Sequence, residues 1–326
     1  MQDAAPRRAR YATRLNAFAA PGQPRELSAM VARAATARGL THLDLNYPDQ
    51  VDVVRPQASA RMVADRGLAL NGLAMRYYGD PAFRAGAFAN PDPAARRRAI
   101  DLTRAGIDAA AACGAPLMTI WLGQDGFDTP FQADYGRLWD LLIDALAEVA
   151  AHAPEVAVSI EYKPDEPRPY ALLPDCATTL LAIADVGAGN LGVTLDFAHM
   201  LYAGEQPAYA AALAARRSRV LGVHLNDGYG RRDDGLMVGA VHTAQTVEFL
   251  AQVRRDGYDG VLYFDTFPEA TGLDPVAECE ANVATTEALL AAVARLEADN
   301  GLPAAQAAQD AVAAHRIAQA AILGHG

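Results

Sequence analysis

Short runs of apolar, β-branched and aromatic residues recur along this chain, and eight of them read as strands: 11–18, 41–47, 69–77, 117–123, 156–163, 191–197, 220–227 and 260–267. Their length and composition suit buried strands. Between them apolar residues return at helical spacing, over 25–39, 91–114, 134–152, 174–187, 205–217, 243–256 and 273–297. Several of these helical runs stop at a glycine. Strand–helix alternation predicts a parallel sheet, and eight units close into a (β/α)₈ TIM barrel, an α/β fold. An open doubly wound sheet is the main rival, but no GxGxxG follows the first strand. The barrel is assigned to 1–297. Residues 298–326 are rich in Ala, the best helix former, and read as a C-terminal helical extension. Its apolar face includes Val312, Ile317 and Ile322, available to the barrel or to a neighbouring subunit.

Alternation within the strands separates two faces. Ser159, Glu161 and Lys163 share one side of the fifth strand. Thr194 and Asp196 share a side of the sixth, opposite Val193 and Leu195. His224 sits with Gly222 and Asn226, opposite Val223 and Leu225, and Asp265 sits with Tyr263. Asp44 and Asn46 repeat the pattern in the second strand, Thr119 and Trp121 in the fourth. Polar groups on the inner side, at the carboxyl ends of strands, lie where barrel active sites are built.

Charge narrows the possibilities. With 28 Lys and Arg against 39 Asp and Glu, the net charge is −11, which argues against a nucleic-acid partner. Cys113, Cys176 and Cys279 are widely spaced, form no CxxC pair and suit reduced thiols in the cytoplasm. The leading MQDAAPRRARYATRLNAF has arginines but no long apolar stretch, so no signal peptide is expected, and no apolar run is long enough for a membrane span.

Glu161, Asp196, His224 and Asp265 stand at the ends of four successive strands. Three carboxylates and one imidazole form a hard donor set for a divalent cation. A second set adjoins it: His199 lies three residues beyond Asp196, and Asp233 and Asp234 lie in the loop after His224. His199 with one of those aspartates is the candidate holder of a second cation, with Asp196 as a possible bridge. Lys163 shares the side of Glu161 and is assigned as a donor to a substrate oxygen. Trp121 is a candidate apolar wall for substrate, and Asn46 a further substrate contact. His42, His152, His242, His315 and His325 read as surface or packing histidines, with His242 the best placed of them to approach the site. Arg231 and Arg232 read as solvated.

IEYKPDEPR resembles the glutamate-and-lysine segment of xylose isomerases, DFAHM their carboxylate-x-x-histidine segment, IWLGQDG the tryptophan segment and YFDTFP the final aspartate segment. HLNDGYGRRDDGLMVG resembles the strand and loop of L-rhamnose isomerases that supply histidine and aspartate ligands. The chain thus resembles the xylose isomerase-like TIM barrels from about 110 to 270, nearest the rhamnose isomerase branch. The resemblance implies a cytoplasmic, homodimeric or homotetrameric sugar isomerase. It would use Mn²⁺, with Mg²⁺, Co²⁺ or Zn²⁺ as alternatives, and bind one or two ions. Glu161, Lys163 and Asp265 would then be catalytic. The sequence departs in carrying Asp233–Asp234–Gly235 rather than Asp-x-Asp, and no counterpart of the catalytic histidine of some relatives is evident. The leading expectation is aldose–ketose isomerisation. A ketose epimerase is the alternative, and Asp265, where epimerases carry glutamate, favours the isomerase. A DNA-repair endonuclease is disfavoured by the net charge, and a non-catalytic sugar binder by the intact donor set.

Overall fold

Eight parallel strands close the barrel: β1 Tyr11–Arg14, β2 His42–Tyr47, β3 Ala69–Met75, β4 Leu117–Trp121, β5 Ala157–Glu161, β6 Leu191–Asp196, β7 Val220–Leu225 and β8 Leu262–Phe264. Each pairs with its neighbours in sequence, and β1 completes the circle beside β8. The structure is a computed structural model that describes residues 9–19 and 22–324. The stretch through residue 8, part of the segment expected to hold no signal peptide, and His325 lie outside the described residues. Among the described residues no helix is long and apolar enough to cross a membrane.

The alternation of the strands is realised as two layers of packing. Leu43, Leu45, Val193, Leu195, Val223 and Leu225 are fully buried in the main hydrophobic core, and each such side chain contributes about 1.5–3 kcal/mol by leaving water. On the other side the buried Ser159 and Thr194 hydroxyls bond to each other at 2.6 Å. Helices start where the sequence supplies caps. Asp92, Asp134, Asp175 and Asp274 each accept a backbone N–H at a helix N-terminus, and Pro93 and Pro275 follow two of them.

Several strands end earlier than their apolar runs. β1 stops at Arg14 and Leu15–Phe18 turn into a 3₁₀ helix; β8 is confined to Leu262–Phe264. The helix Pro56–Ala64 was not evident from the pattern, because its buried face is only Ser59 and Val63. Beyond Pro275–Ala298 the tail forms two helices, Gly301–Ala307 and Ala311–Leu323, rather than one. The second lies back on Thr243–Arg255 and Pro275–Ala298. Ile317 and Ile322 pack inward there, while Val312 is exposed.

The loops at the carboxyl ends are knitted together over the barrel mouth. Gly126–Phe127 and Tyr170–Ala171 form a small antiparallel ribbon, and Phe127 stacks on Tyr170 at 4.8 Å. Only glycine fits at 126, where a Cβ would strike the Tyr170 carbonyl. Buried Asp125 accepts the N–H groups of Ala87 (3.0 Å) and Ala89 (2.5 Å), and its own carbonyl accepts the N–H of Leu172 at 2.9 Å. These bonds tie the loops after β3, β4 and β5 to one another.

Gly222 lies against Thr194 in the barrel interior, two residues before His224, and a Cβ there would stand 2.6 Å from the Thr194 hydroxyl oxygen. Gly222→Val is therefore expected to destabilise the fold by about 1–3 kcal/mol through overpacking. Urea unfolding measures this, and an unchanged midpoint contradicts the packing described.

Candidate active site

The carboxyl ends of β5 to β8 carry Glu161, Asp196, His224 and Asp265 to one place. One donor atom from each lies within 4.8 Å of all the others. An ion with bonds of roughly 2–2.6 Å requires donors no farther apart than about 5 Å, so the set fits a divalent cation. His224 Nδ1 is 3.2 Å from Glu161 Oε1 and 3.7 Å from Asp196 Oδ2, and its ring stacks on Tyr263 at 4.2 Å. Asp196 is fully buried and fixed from two sides. Asn226 Nδ2 donates to both of its oxygens at 3.1 Å, and Oδ1 also accepts the N–H of His199 at 3.0 Å. Asn226 in turn accepts the N–H of Ala198 at 2.8 Å, which locks the start of the helix Phe197–Tyr202 to β7.

His199 and Asp233 form the adjoining set. His199 Nδ1 donates to the carbonyl of Tyr162 at 2.9 Å, and Nε2 faces Asp233 Oδ2 at 3.2 Å. Fixing the proton on Nδ1 leaves Nε2 as the nitrogen a neutral imidazole offers to a cation. Asp233 Oδ1 is buried with no hydrogen-bond partner among the described residues, a second sign that this corner suits a cation. Glu161 and Asp196 each lie 3.8 Å from His199 Nδ1, so the two sets are contiguous.

The charges respond to this crowding. Burial pushes Asp265 up to about 6 despite Arg14 nearby. Burial also works against the charged form of Glu161, but His224 and His199 outweigh it and bring it down to about 2. Burial likewise opposes the charged forms of both histidines. Asp196 and Asp233 nevertheless raise His199 to about 9, and Glu161 with Asp196 raises His224 well above its ordinary value. Below them Asp44 is raised to about 6 by burial. Lys163 Nζ is 3.1 Å from Asp233 Oδ2 and 2.7 Å from Glu166 Oε2. Burial tends to neutralise it, yet these two carboxylates hold its pKa above the ordinary value, so it remains an ammonium.

A cavity of about 510 Å³ opens above this floor. Lys163, Trp121, Glu161, His199, Asp233 and Asp265 all line it. Trp121 has its ring 5.5 Å from the Lys163 ammonium. One sequence expectation needs correction. Asn46 does not reach the cavity wall; its Oδ1 accepts from Arg76 Nε at 2.8 Å. Of the two loop aspartates only Asp233 faces the site, because Asp234 is occupied by the N–H of Tyr229 and by Arg232. His242 is bound to Asp227 at 2.8 Å and does not line the cavity. His42 and His152 are engaged by Thr41 and Asp108, away from it.

Sequence reading missed Arg14, Arg76, Tyr78, Glu166 and Phe267 on the same wall. Arg14 pairs with Asp265 (3.5 Å) and with Glu269, and lies over the Phe267 ring. Arg14 and Arg76 stand at or just past strand ends, the position that singled out the carboxylates, so the same rule applied to cations would have found them.

A sequence profile of the xylose isomerase-like TIM barrel matches residues 32–289. The chain belongs to that family. A xylose isomerase of Thermus thermophilus is 28% identical over 207 residues, covering 62% of this chain and 54% of that protein. One of Thermus caldophilus is 26% identical over 211 residues, covering 63% and 54%. The chain thus spans about half the length of the curated relatives it matches. Among solved structures, an L-ribulose 3-epimerase superposes with a TM-score of 0.70 at 22% identity, over 88% of this chain and 96% of that one. A D-tagatose 3-epimerase-like protein gives 0.71 at 14%, over 87% and 98%. These structural likenesses bear on the fold.

Cations taking these two adjoining sets must displace protons from His224, His199 and Asp265. Each holds its proton to higher pH than usual, so deprotonation on raising the pH favours binding. Mn²⁺ affinity is therefore expected to climb between about pH 6 and 9, with proton release, measured by calorimetry in buffers of different ionisation enthalpy. An affinity flat across that window contradicts the account.

Proposed function

We propose that this protein is a divalent-cation-dependent isomerase that interconverts an unphosphorylated aldose and its ketose by a 1,2-hydride shift. The observation that carries the reading is the four-donor cluster of Glu161, Asp196, His224 and Asp265, with His199 and Asp233 contiguous to it. The named xylose isomerase relatives support it, although the chain matches only about half their length. Glu161, Asp196, His224 and Asp265 would hold the cation, Mn²⁺ by preference, and the chemistry it would supply there is that of a Lewis acid toward substrate oxygens.

The chain's own groups do the rest. Lys163, kept charged by Asp233 and Glu166, points an N–H at a substrate oxygen and steadies negative charge that develops on it. Trp121 and Tyr78, edge to face at 5.9 Å, give the substrate chain an apolar wall and exclude water from that side. Asn226 and the Tyr162 carbonyl hold Asp196 and His199 in fixed orientation, so little reorganisation accompanies reaction. Assembly as a homodimer or homotetramer in the cytoplasm, without nucleic-acid or membrane partners, belongs to the same proposal.

A second reading, a ketose epimerase working by proton abstraction, is favoured by one observation. Asp265, raised to about 6, is a carboxylate poised near neutrality as a general base. Against it, Asp265 is already engaged by Arg14, whereas proton transfer on both faces of a carbon calls for two free carboxylates. Turnover of a panel of free sugars in D₂O separates the two. The hydride shift leaves the migrating position unlabelled; deuterium at that position overturns the hydride shift, and deuterium at the inverted carbon of a product that is still a ketose overturns the isomerase reading in favour of the epimerase.

A further inference from the structure

Arg14, Arg76 and Lys163 line the cavity, and they are not equivalent. Arg14 is engaged by Asp265 and Glu269, and Lys163 by Asp233 and Glu166. Arg76 has no carboxylate within ion-pair distance among the described residues. It sits one residue beyond β3, partly buried, and its backbone N–H donates to the carbonyl of Tyr47 at 3.0 Å. Nε donates to the neutral Oδ1 of buried Asn46 at 2.8 Å, and the guanidinium lies over the Tyr78 ring at 5.6 Å. Asn46 is itself fixed by the side chain of Gln50, which accepts its N–H at 2.9 Å. The guanidinium is thus held along its Nε side and against one face. The edge formed by its two terminal amino groups has no hydrogen-bond partner among the described residues. That edge is a planar two-donor fork whose natural complement is a carboxylate.

The position relates this fork to the chemistry. Arg76 lines the main cavity, and it also lines a small recess beneath it together with Trp121, Glu161, His224 and Asp265. A substrate held at the four-donor cluster therefore lies beside the fork. We infer that Arg76 is a specificity-determining residue that takes a terminal carboxylate of the substrate, so that the sugar is a sugar acid, such as a uronate, rather than a neutral sugar. This rests on the isomerase reading for the identity of the site and narrows its substrate class. Asn46 is then a positioning residue for Arg76.

Calorimetric titration of the Mn²⁺-loaded full chain tests it with two matched pairs, D-glucuronate against D-glucose and D-galacturonate against D-galactose. Each pair differs in whether carbon 6 is a carboxylate or a hydroxymethyl group. In at least one pair the acid is expected to bind about tenfold tighter, which is 1.4 kcal/mol. Arg76→Gln should bring the two affinities of that pair together, and Arg76→Lys, which keeps charge but not the fork, should leave an intermediate preference. Melting curves establish that the variants are folded, and Arg76→Lys carries the test if Arg76→Gln is not. Acids that bind no tighter than their neutral partners overturn the inference, as does a preference that survives Arg76→Gln. The D₂O assay keeps the two readings apart. Arg76-dependent acid binding without conversion sinks the isomerase and keeps the subsite. Conversion of neutral sugars with no acid preference does the reverse.

Discussion

Carboxylates brought within a few ångströms of one another repel, and the mouth of this barrel is organised around that repulsion. Glu161, Asp196 and Asp265 converge with His224 inside 4.8 Å. At an effective dielectric near 20, two unit charges 4 Å apart interact by about 4 kcal/mol, so three like charges are tolerable only with compensation. Part of that compensation comes from the protein itself. His224 carries a raised pKa, Glu161 a lowered one, and Arg14 stands beside Asp265. A divalent ion would replace those protons with a stronger and better centred charge. The same logic governs the next corner, where Lys163 and His199 share Asp233.

The barrel makes such crowding possible because Glu161, Asp196 and His224 stand on rigid strands and Asp265 directly follows one. A hydrogen-bonded ladder fixes the direction of each strand end. The apolar layer behind it, with Leu195 and Val223 fully buried on the opposite side of Asp196 and His224, resists rotation of the strands. Asn226, whose side chain bonds Asp196, the carbonyl of Asp265 and the N–H of Ala198, joins three elements at one amide. The loops then add the rest of the site: the ribbon at Phe127 and Tyr170, Glu166 beside Lys163, and Arg76 on its Asn46 support.

Much of this was legible in the sequence, for a physical reason. Two-residue alternation assigned Glu161, Asp196, His224 and Asp265 to the inner side, and the closed sheet brings those same groups together. Lys163 and His199 followed from their spacing to those residues. What escaped depended on three-dimensional pairing. Asn46 has the right phase, but Arg76 intervenes between it and the cavity. Asp233 and Asp234 are indistinguishable in a run, and only the turn that captures Asp234 with the N–H of Tyr229 tells them apart. The helix Pro56–Ala64 hides because its apolar face is so slight.

The account stands on the cation. Crystals of the protein grown at saturating Mn²⁺, with diffraction measured at the manganese absorption edge, test it directly. The account predicts an anomalous peak roughly 2–2.6 Å from donor atoms of Glu161, Asp196, His224 and Asp265 together. A fully loaded crystal with no peak among these four residues, or with their donors splayed too far apart to share an ion, would contradict it.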